Sequence, residues 1–441
     1  MDTKTMPAET TSVEPTSIQG QPADGLTADV SATLRTSAVR ADTSPARRIP
    51  LAFGDANIPA PPVLIEALAT HAHLNAYGPV EGSSTLRAAA AGYWARRGLA
   101  TDPENVLAGP GSKALLYALV LSLGGPIAIP QPSWISYAAQ LRMIGTKPVS
   151  IPISDHDGGI PDPGTLAAIA TAARQMGTPL KAVIVTLPDN PTGTLARPET
   201  VEALCAVARE HEFTIVSDEI YRDLVHDPAQ TFLSPSQLAP ERTVVTTGLS
   251  KNLALGGWRI GIARFPSSEL GDELKSNVLG IGSEIWSCGS TPVQEAAAHA
   301  LSEPPEITEY LNSARELHAK VAQAAVAVFR SAGALTPLPA GAFYLYPDFE
   351  PLQADLWSAR QIGTGTQLVA HLRQAHGIEV LPARDFGEHH DPLRLRVATS
   401  QLYGTTSDQR AEALNSSDPA NLPWISDQLH CLEEALRSLC E

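Results

Sequence analysis

The sequence has few cysteines, no long apolar run and a shortage of basic residues. Four cysteines occur among 441 residues, and none of them forms a Cys-x-x-Cys pair. This usage predicts reduced thiols in a cytoplasmic protein, without a disulfide framework or a metal site. No apolar stretch approaches the roughly 20 residues that a membrane-spanning helix needs. Residues 1–25 also lack the apolar core of a secretory signal, so none is expected.

The overall charge balance is acidic. Acidic residues outnumber basic ones by 47 to 31, which gives a formal net charge of −16 at pH 7. Nucleic acids and acidic membranes attract basic surfaces. We therefore expect no nucleic-acid partner and no membrane partner.

Residues 1–47 differ in composition from the rest of the chain. They are rich in Thr, Ser, Ala and Pro and contain no aromatic residue. Such a segment buries too little apolar surface to offset its chain entropy. We predict a disordered tail here.

Strand and helix patterns alternate from about residue 105 onward. Strand-like runs such as PIAIP at 126–130 and KAVIVTL at 181–187 alternate with helical runs such as SKALLYALVLSL at 112–123. The run at 181–187 is rich in β-branched residues, as in parallel strands that are covered on both faces. The alternation predicts an open α/β sheet with helices on both sides.

The carboxy-terminal third has a different order of elements. A long helix is predicted at 305–331, followed by strands in GAFYLYPDF and PLRLRVAT and by helices near 364–376 and 422–439. The polar, turn-rich stretch from Gln401 to Trp424 is predicted to be a loop.

Polar residues follow several predicted strands, at the edge where open α/β sheets bind ligands. They lie in DNPTG at 189–193, in SDEIY at 217–221 and at Lys251, and the turn GPGSK at 109–113 precedes a helix. The free amides at such a helix start suit a phosphate. Each motif alone also fits an ordinary turn, a helix cap or a surface lysine.

Taken together, these groups suit one aldehyde cofactor that carries a phosphate and a pyridine ring. Lys251 would form a Schiff base with the aldehyde, and Asp218 would keep the ring nitrogen protonated, so that the ring acts as an electron sink. Asn190 and Tyr221 would bond the ring hydroxyl. The groups expected at the phosphate are the amides of Gly111, Ser112 and Lys113 and the charge of Arg259.

The order and spacing of DNPTG, SDEIY, GLSK and GWRIG resemble the class I and II aminotransferases of fold type I, which use pyridoxal 5'-phosphate. The resemblance covers about residues 48–400. It implies an α/β fold with a large domain, whose mostly parallel sheet lies between helices, and a smaller α+β domain. The implied division is 1–47 for the tail, 48–95 for an N-terminal segment with the active-site loop and dimer contacts, 96–310 for the large cofactor-binding domain and 311–441 for the small domain.

The resemblance implies further roles. Trp134, in PSWISY, stacks over the cofactor ring, and Tyr77, in NAYGPVEGSSTLRAA, reaches the phosphate of the neighbouring subunit in a homodimer. Arg394, the first arginine of LRLRVATS, binds the substrate α-carboxylate, with Arg396 as its neighbour. Gly54, in FGDANIP, offers backbone contacts from a loop that closes over the substrate.

Two departures from the family pattern stand out. Gly248 occupies a position where many relatives carry a serine for the phosphate. The segment 281–291 holds Glu284 and Trp286 and no arginine, whereas relatives that act on dicarboxylates bring a second arginine there from the partner subunit. This difference argues against a dedicated aspartate aminotransferase. A carboxylate at Glu284 would instead attract a cationic or donor-bearing side chain, although Glu284 also fits a solvent-exposed helix end.

The first hypothesis is an aminotransferase that moves an amino group between an L-amino acid and a 2-oxo acid through the Lys251 Schiff base. Lys251, Asp218 and Tyr221 are its predicted catalytic residues. The alternative is another pyridoxal-phosphate reaction on the same scaffold, namely elimination, oxidation or cyclisation, because the cofactor motifs are common to all of them. A transcription regulator with such a sensor domain would need a DNA-binding domain ahead of it, and residues 1–47 are short and not basic.

Overall fold

The computed structural model describes residues 48–154 and 157–441. The predicted disordered tail at 1–47 lies outside the described residues. The central feature of the rest is a seven-stranded sheet in the order β2-β8-β7-β6-β5-β3-β4. Its strands are β2 Val106–Gly109, β3 Ile127–Gln131, β4 Val149–Pro152, β5 Ala182–Thr186, β6 Thr214–Asp218, β7 Thr243–Gly248 and β8 Gly261–Arg264. Strands β3 to β7 are parallel, and β8 runs antiparallel to β2 and β7.

Helices cover both faces of this sheet, as the alternating pattern predicted. The helices of this part of the chain are α1 Pro62–His71, α2 Ser84–Ala95, α3 Ser112–Leu123, α4 Ile135–Met143, α5 Pro163–Gln175, α6 Pro198–Glu210, α7 Pro235–Leu238, α8 Glu269–Ile285 and α9 Thr291–Leu301. Successive residues of β5 point to opposite faces. Val183 and Val185 pack in a cluster with α5 and α6, while Ile184 packs in a second cluster with α3, α4 and α8. This two-sided burial explains the apolar run that the sequence shows at 181–187.

The remainder of the chain forms two small sheets and further helices. The helices are α10 Pro305–Ser331, α11 Gln353–Arg360, α12 Gly365–His376, α13 Ser407–Asn415 and α14 Pro423–Arg437. One small sheet pairs β1, Ile49–Pro50, with β10, Ile378–Glu379, in parallel. The other has the order β11-β12-β9, from Leu381–Pro382, Leu395–Ala398 and Tyr344–Leu345. The fold is therefore α/β with a mostly parallel main sheet, as expected. The positions of the domain boundaries remain a prediction.

The prediction of a loop between Gln401 and Trp424 is wrong, because α13 occupies residues 407–415. The helix begins with a capping box, in which Thr406 accepts from the backbone N–H of Gln409 and the Gln409 side chain accepts from the backbone N–H of Thr406. The signal was present in the sequence as Thr-x-x-Gln. The polar composition of the stretch concealed it.

The longest described helix, α10, links the main sheet to the carboxy-terminal elements. Ala314, Leu317 and Val321 lie on its buried face, in a cluster that also contains Leu51 and Leu395. The residues before α1 are thereby held against the carboxy-terminal sheet. No helix in the described ranges combines the length and the apolar character needed to cross a bilayer.

Candidate active site

A cavity of about 510 Å³ opens where the parallel strands end. Asp218 is the last residue of β6, Asn190 follows β5, and Lys251 follows β7; all three line the cavity together with Tyr221. The other predicted site residues in its lining are Gly54, Ser112, Lys113, Trp134 and Arg259. The sheet edge therefore brings together most of the residues singled out in the sequence.

The amine of Lys251 lies deep in this cavity. Its Nζ donates a hydrogen bond to the carbonyl oxygen of Gly54 at 2.7 Å. Burial lowers the pKa of this amine to about 8; the carboxylate of Asp55 opposes the fall, and the charge of Arg396 adds to it. An amine with a lowered pKa is more often unprotonated near neutral pH, and only the unprotonated amine is a nucleophile. The environment thus suits Lys251 for bond formation with an aldehyde.

The carboxylate of Asp218 is buried and hydrogen-bonded. The hydroxyl of Tyr137 donates to Oδ2 at 2.8 Å, and Thr246 donates to Oδ1 at 3.4 Å. Burial raises the pKa of Asp218 to about 6, and these hydrogen bonds oppose the rise. A cationic ring nitrogen next to the carboxylate would favour its ionised form further.

Tyr137 was not singled out in the sequence. It lies three residues after Trp134, in the first turn of α4, and its hydroxyl also lies 2.8 Å from the hydroxyl of Thr186 at the end of β5. Its position in PSWISY gave the only hint, because a tyrosine on a helix start beside the sheet edge can reach the strand ends.

Glycines shape the predicted phosphate site. Gly111 precedes α3 with a φ of +93°, and a Cβ at this position would overlap the guanidinium of Arg259. The first turn of a helix leaves backbone N–H groups free, which here belong to Ser112 and Lys113. Gly248 faces Gly261 across β7 and β8, where a Cβ would come within 2.6 Å of the Ile260 carbonyl oxygen. A side chain at position 248 would therefore require the Ile260 backbone to shift.

Among the buried polar atoms that have no hydrogen-bond partner in the described part of the chain, two belong to the cavity. They are Oδ1 of Asn190 and Nε of Arg396. Both residues line the cavity. Buried polar groups normally have partners, so their presence here fits a polar ligand. With Lys251, Asp218 and the glycine-lined helix start, the donor set fits pyridoxal phosphate.

The aromatic side of the cavity is formed by Trp134. Its ring meets that of Tyr137 edge-on, with the centroids 5.3 Å apart. The ammonium of Lys113 lies 4.9 Å from the Trp134 ring centroid. Burial and the charge of Arg259 lower the pKa of this ammonium.

The structure corrects the placement of Arg394. Its guanidinium pairs with Asp348 at 2.9 Å and with Glu388 at 2.8 Å, and it does not line the cavity. Arg396, two residues further along the chain, lines the cavity instead. Two residues of strand advance the side chain by about 7 Å on the same face. An arginine at position 394 therefore reaches two carboxylates, whereas an arginine at position 396 reaches the cavity.

Arg396 is the better candidate for a carboxylate ligand. It is 5% exposed, and its guanidinium lies 5.0 Å from the ring centroid of Tyr344 and 5.2 Å from that of Phe386. Its Nη2 donates to the carbonyl oxygen of Ala52. These hydrogen-bond and ring contacts are with neutral groups, and the carboxylate of Asp385 favours the charged form of the guanidinium.

The residues expected to reach the partner subunit lie outside the cavity of their own chain. Tyr77 is 92% exposed, and Glu284 is exposed at the end of α8. Trp286 packs back against its own helix at Gly282. The segment of Tyr77 lies beside residues 288–292, where Thr291 donates to the Ala76 carbonyl oxygen at 3.1 Å. The roles of Tyr77 and Glu284 in a dimer remain predictions.

The fold and the cavity define a fold type I, pyridoxal-phosphate-dependent enzyme. The family model "Aminotransferase class I and II" matches residues 48–414, and the chain belongs to this family. It is 31% identical to the aspartate/prephenate aminotransferase of Thermus thermophilus over 74% of this chain and 79% of that protein. It is 32% identical to the aspartate aminotransferase of Geobacillus stearothermophilus over the same shares.

A solved structure has the same fold. The aspartate aminotransferase of Thermus thermophilus with maleate superposes with a TM-score of 0.74 at 26% identity, covering 89% of this chain and 95% of that one. The protein is thus a pyridoxal-phosphate-dependent aminotransferase, and its relatives favour transamination over elimination, oxidation or cyclisation.

The Tyr137–Asp218 hydrogen bond generates a prediction with a defined pH dependence. Tyr137→Phe removes a bond that lowers the pKa of Asp218, so the pKa should rise above its value of about 6. A rise of about one unit, worth about 1.4 kcal/mol, would protonate more of the carboxyl at pH 6. We expect cofactor affinity to fall about fivefold at pH 6 and to match the wild type near pH 9, where both carboxyls are ionised.

The measurement is titration of the cofactor-free enzyme with pyridoxal phosphate at several pH values. Tyr117→Phe, in α3 and outside the cavity lining, is the matched control and should change nothing. A loss of affinity that is equal at pH 6 and pH 9 would show a packing defect instead.

The correction at Arg394 generates a second prediction. Arg396→Gln should lower kcat/KM for every amino acid substrate on the order of 10–100-fold, the scale of a lost charge-assisted hydrogen bond. Arg394→Gln should leave kcat/KM nearly unchanged, because its partners are Asp348 and Glu388. Steady-state kinetics of both variants show whether Arg396 or Arg394 binds the substrate carboxylate. A larger loss of kcat/KM in Arg394→Gln than in Arg396→Gln would support the sequence-based prediction that Arg394 binds the α-carboxylate.

Proposed function

We propose that this aminotransferase uses an amino dicarboxylic acid of the aspartate type as its amino donor. The observation that carries this proposal is the ammonium of Lys113, which lines the cavity above Trp134. Within residues 48–154 and 157–441, it forms no ion pair with a carboxylate. A cation that lacks a counter-ion in a ligand cavity favours an anionic group on the ligand.

The cations of the cavity can be assigned one by one under this proposal. Arg259 lies beside Gly111 at the predicted phosphate site. Arg396 would hold the α-carboxylate of the substrate, leaving Lys113 for a second carboxylate. The missing arginine in 281–291 argued against dicarboxylates, but Lys113 supplies a cation from the same chain. The names of the Thermus and Geobacillus relatives, which specify aspartate, agree with this assignment.

The residues of the chain then act as follows. Bound pyridoxal phosphate supplies an electron sink that makes the α-proton of the amino acid acidic. Asp218 would pair with the ring nitrogen and keep it protonated. Nζ of Lys251 would accept the α-proton of the bound substrate as a general base and would return it to the substrate–cofactor system as a general acid. Arg396 orients the α-carbon toward Nζ by holding the carboxylate beside it.

We further propose a homodimer in which Tyr77 completes the active site of the partner. Tyr77 is 92% exposed, so its ring is accessible to a second chain. Its segment lies against residues 288–292, so two segments with a predicted role in the dimer form one continuous surface. A C₂ dimer is the commonest arrangement of soluble oligomers.

The proposed partners are small molecules, and the proposed location is the cytoplasm. All four cysteines are free thiols, which is typical of a reducing compartment. The net charge of −16 disfavours nucleic acid and anionic membranes as partners.

The donor proposal is tested by adding single amino acids to the cofactor-loaded enzyme and following the loss of its visible band. Aspartate and glutamate should convert the cofactor to its amine form at lower concentrations than alanine, phenylalanine or lysine. Lys113→Gln should lower kcat/KM for aspartate on the order of 10–100-fold and for alanine only slightly, because one charged hydrogen bond is lost.

Lys320→Gln, on the exposed face of α10, is the matched control. An equal loss for aspartate and alanine in Lys113→Gln would contradict the assignment of Lys113. A preference of the wild type for a cationic amino acid would instead support the role predicted for Glu284.

The dimer proposal is tested by sedimentation and by cofactor titration of Tyr77→Phe. We expect a dimer at micromolar concentration for both wild type and variant. The variant should bind the cofactor about tenfold more weakly, since the tyrosine hydroxyl would lose a bond to a charged phosphate. A fully active monomer, or a variant with unchanged affinity, would refute the shared site.

A further inference from the structure

Tyr344 lies in the cavity beside Tyr221, although the sequence analysis gave it no role. It is the first residue of β9, is 1% exposed and lines the cavity. Its hydroxyl oxygen is 2.8 Å from that of Tyr221. The two rings meet edge-on with their centroids 5.6 Å apart, and the ring of Phe343 packs against both of them.

The other side of Tyr344 faces Arg396, the arginine expected to bind the substrate carboxylate. The guanidinium of Arg396 lies 5.0 Å from the Tyr344 ring centroid. Gly54 is close as well, since a Cβ at Gly54 would overlap the Tyr344 hydroxyl. Tyr344 therefore connects the residues expected to hold the substrate carboxylate with the tyrosine expected to bond the cofactor ring.

Counting the available donors and acceptors indicates which of the two hydroxyls, Tyr344 or Tyr221, donates the hydrogen bond between them. Each hydroxyl has one proton to donate, and a guanidinium has donors only. Arg396 therefore offers no acceptor for the proton of Tyr344, whereas the oxygen of Tyr221 does. Burial raises the pKa of both tyrosines, but the charge of Arg396 opposes the rise more strongly at Tyr344 than at Tyr221. The more acidic hydroxyl is the better donor, and that is Tyr344.

We propose that Tyr344 is a positioning residue that donates its hydroxyl proton to Tyr221 and thereby directs the proton of Tyr221 toward the ring hydroxyl of bound pyridoxal phosphate. This inference rests on the role proposed for Tyr221. A hydroxyl that accepts one hydrogen bond becomes a stronger donor in the next. Tyr221 would therefore draw negative charge from the ring oxygen, and the Lys251 nitrogen linked to the cofactor would lose its proton at a lower pH.

Other charged groups also face these residues and define the background of the titration. Those around Lys251 and the two tyrosines are Asp55, Lys113, Asp218, Arg259 and Arg396. Arg396 contacts the Tyr344 hydroxyl itself, so the exchange at 344 also changes the surroundings of Arg396. Combining the exchange with Tyr221→Phe separates an effect that passes through Tyr221 from one that passes through Arg396.

The experiment is a pH titration of the visible band of the loaded enzyme without substrate. Tyr344→Phe keeps the ring and removes one oxygen, and we expect its midpoint to rise by about half a unit to one unit, a three- to tenfold change in proton affinity. Tyr221→Phe should raise the midpoint further. The double variant should match Tyr221→Phe alone, because Tyr344 acts only through Tyr221.

Tyr346→Phe is the matched control. Tyr346 lies two residues along the same run, and its buried hydroxyl donates to Glu388 at 2.9 Å, away from Tyr221. Its midpoint should equal that of the wild type. An unchanged midpoint in Tyr344→Phe would overturn the proposal, and so would a Tyr344→Phe shift that persists fully in the Tyr221→Phe background. Because no amino acid is added, failure of the aspartate proposal would leave this result unaffected.

Discussion

The site depends on one costly placement, a carboxylate held out of water at the end of β6. An uncompensated buried charge costs on the order of several kcal/mol, so Asp218 is tolerable only where donors are ready. The parallel register puts Thr186, Asp218 and Thr246 side by side on three strands, and α4 adds the hydroxyl of Tyr137. Sheet register and helix docking must both be correct before this residue can serve a cofactor.

A second constraint is the surplus of positive charge around that carboxylate. Lys113, Lys251, Arg259 and Arg396 line one cavity, and burial with mutual repulsion lowers the pKa of Lys113 and Lys251. Anionic ligands relieve this repulsion. Phosphate and substrate carboxylates should therefore stabilise the folded enzyme as well as bind to it. The same burial and positive charges lower the pKa of Lys251, so more of its amine is unprotonated and reactive near neutral pH.

Local patterns predicted the scaffold well where a few neighbouring residues decide the structure. The two-sided apolar run at 181–187 became β5, and the periodic stretch at 305–331 became α10. The failure at α13 had the opposite cause, because its polar composition outweighed the capping signal at Thr406. The arginine that faces the cavity lies two residues beyond Arg394, because the carboxylates of Glu388, nearby in sequence, and Asp348, from a distant segment, bind the Arg394 guanidinium outside the cavity.

The sequence by itself determined the cofactor chemistry, because an amine, a carboxylate, an amide and a helix-start turn at successive strand ends are residue types with a direct chemical meaning. Lys251, Asp218 and Asn190 meet at one sheet edge because each follows or ends one of three neighbouring parallel strands. Only the tertiary structure decided which arginine, Arg396, enters the cavity and which tyrosines support it. Tyr137 reaches Asp218 across 81 residues and Tyr344 reaches Tyr221 across 123. Such partners are chosen by packing between distant segments, which no local pattern encodes.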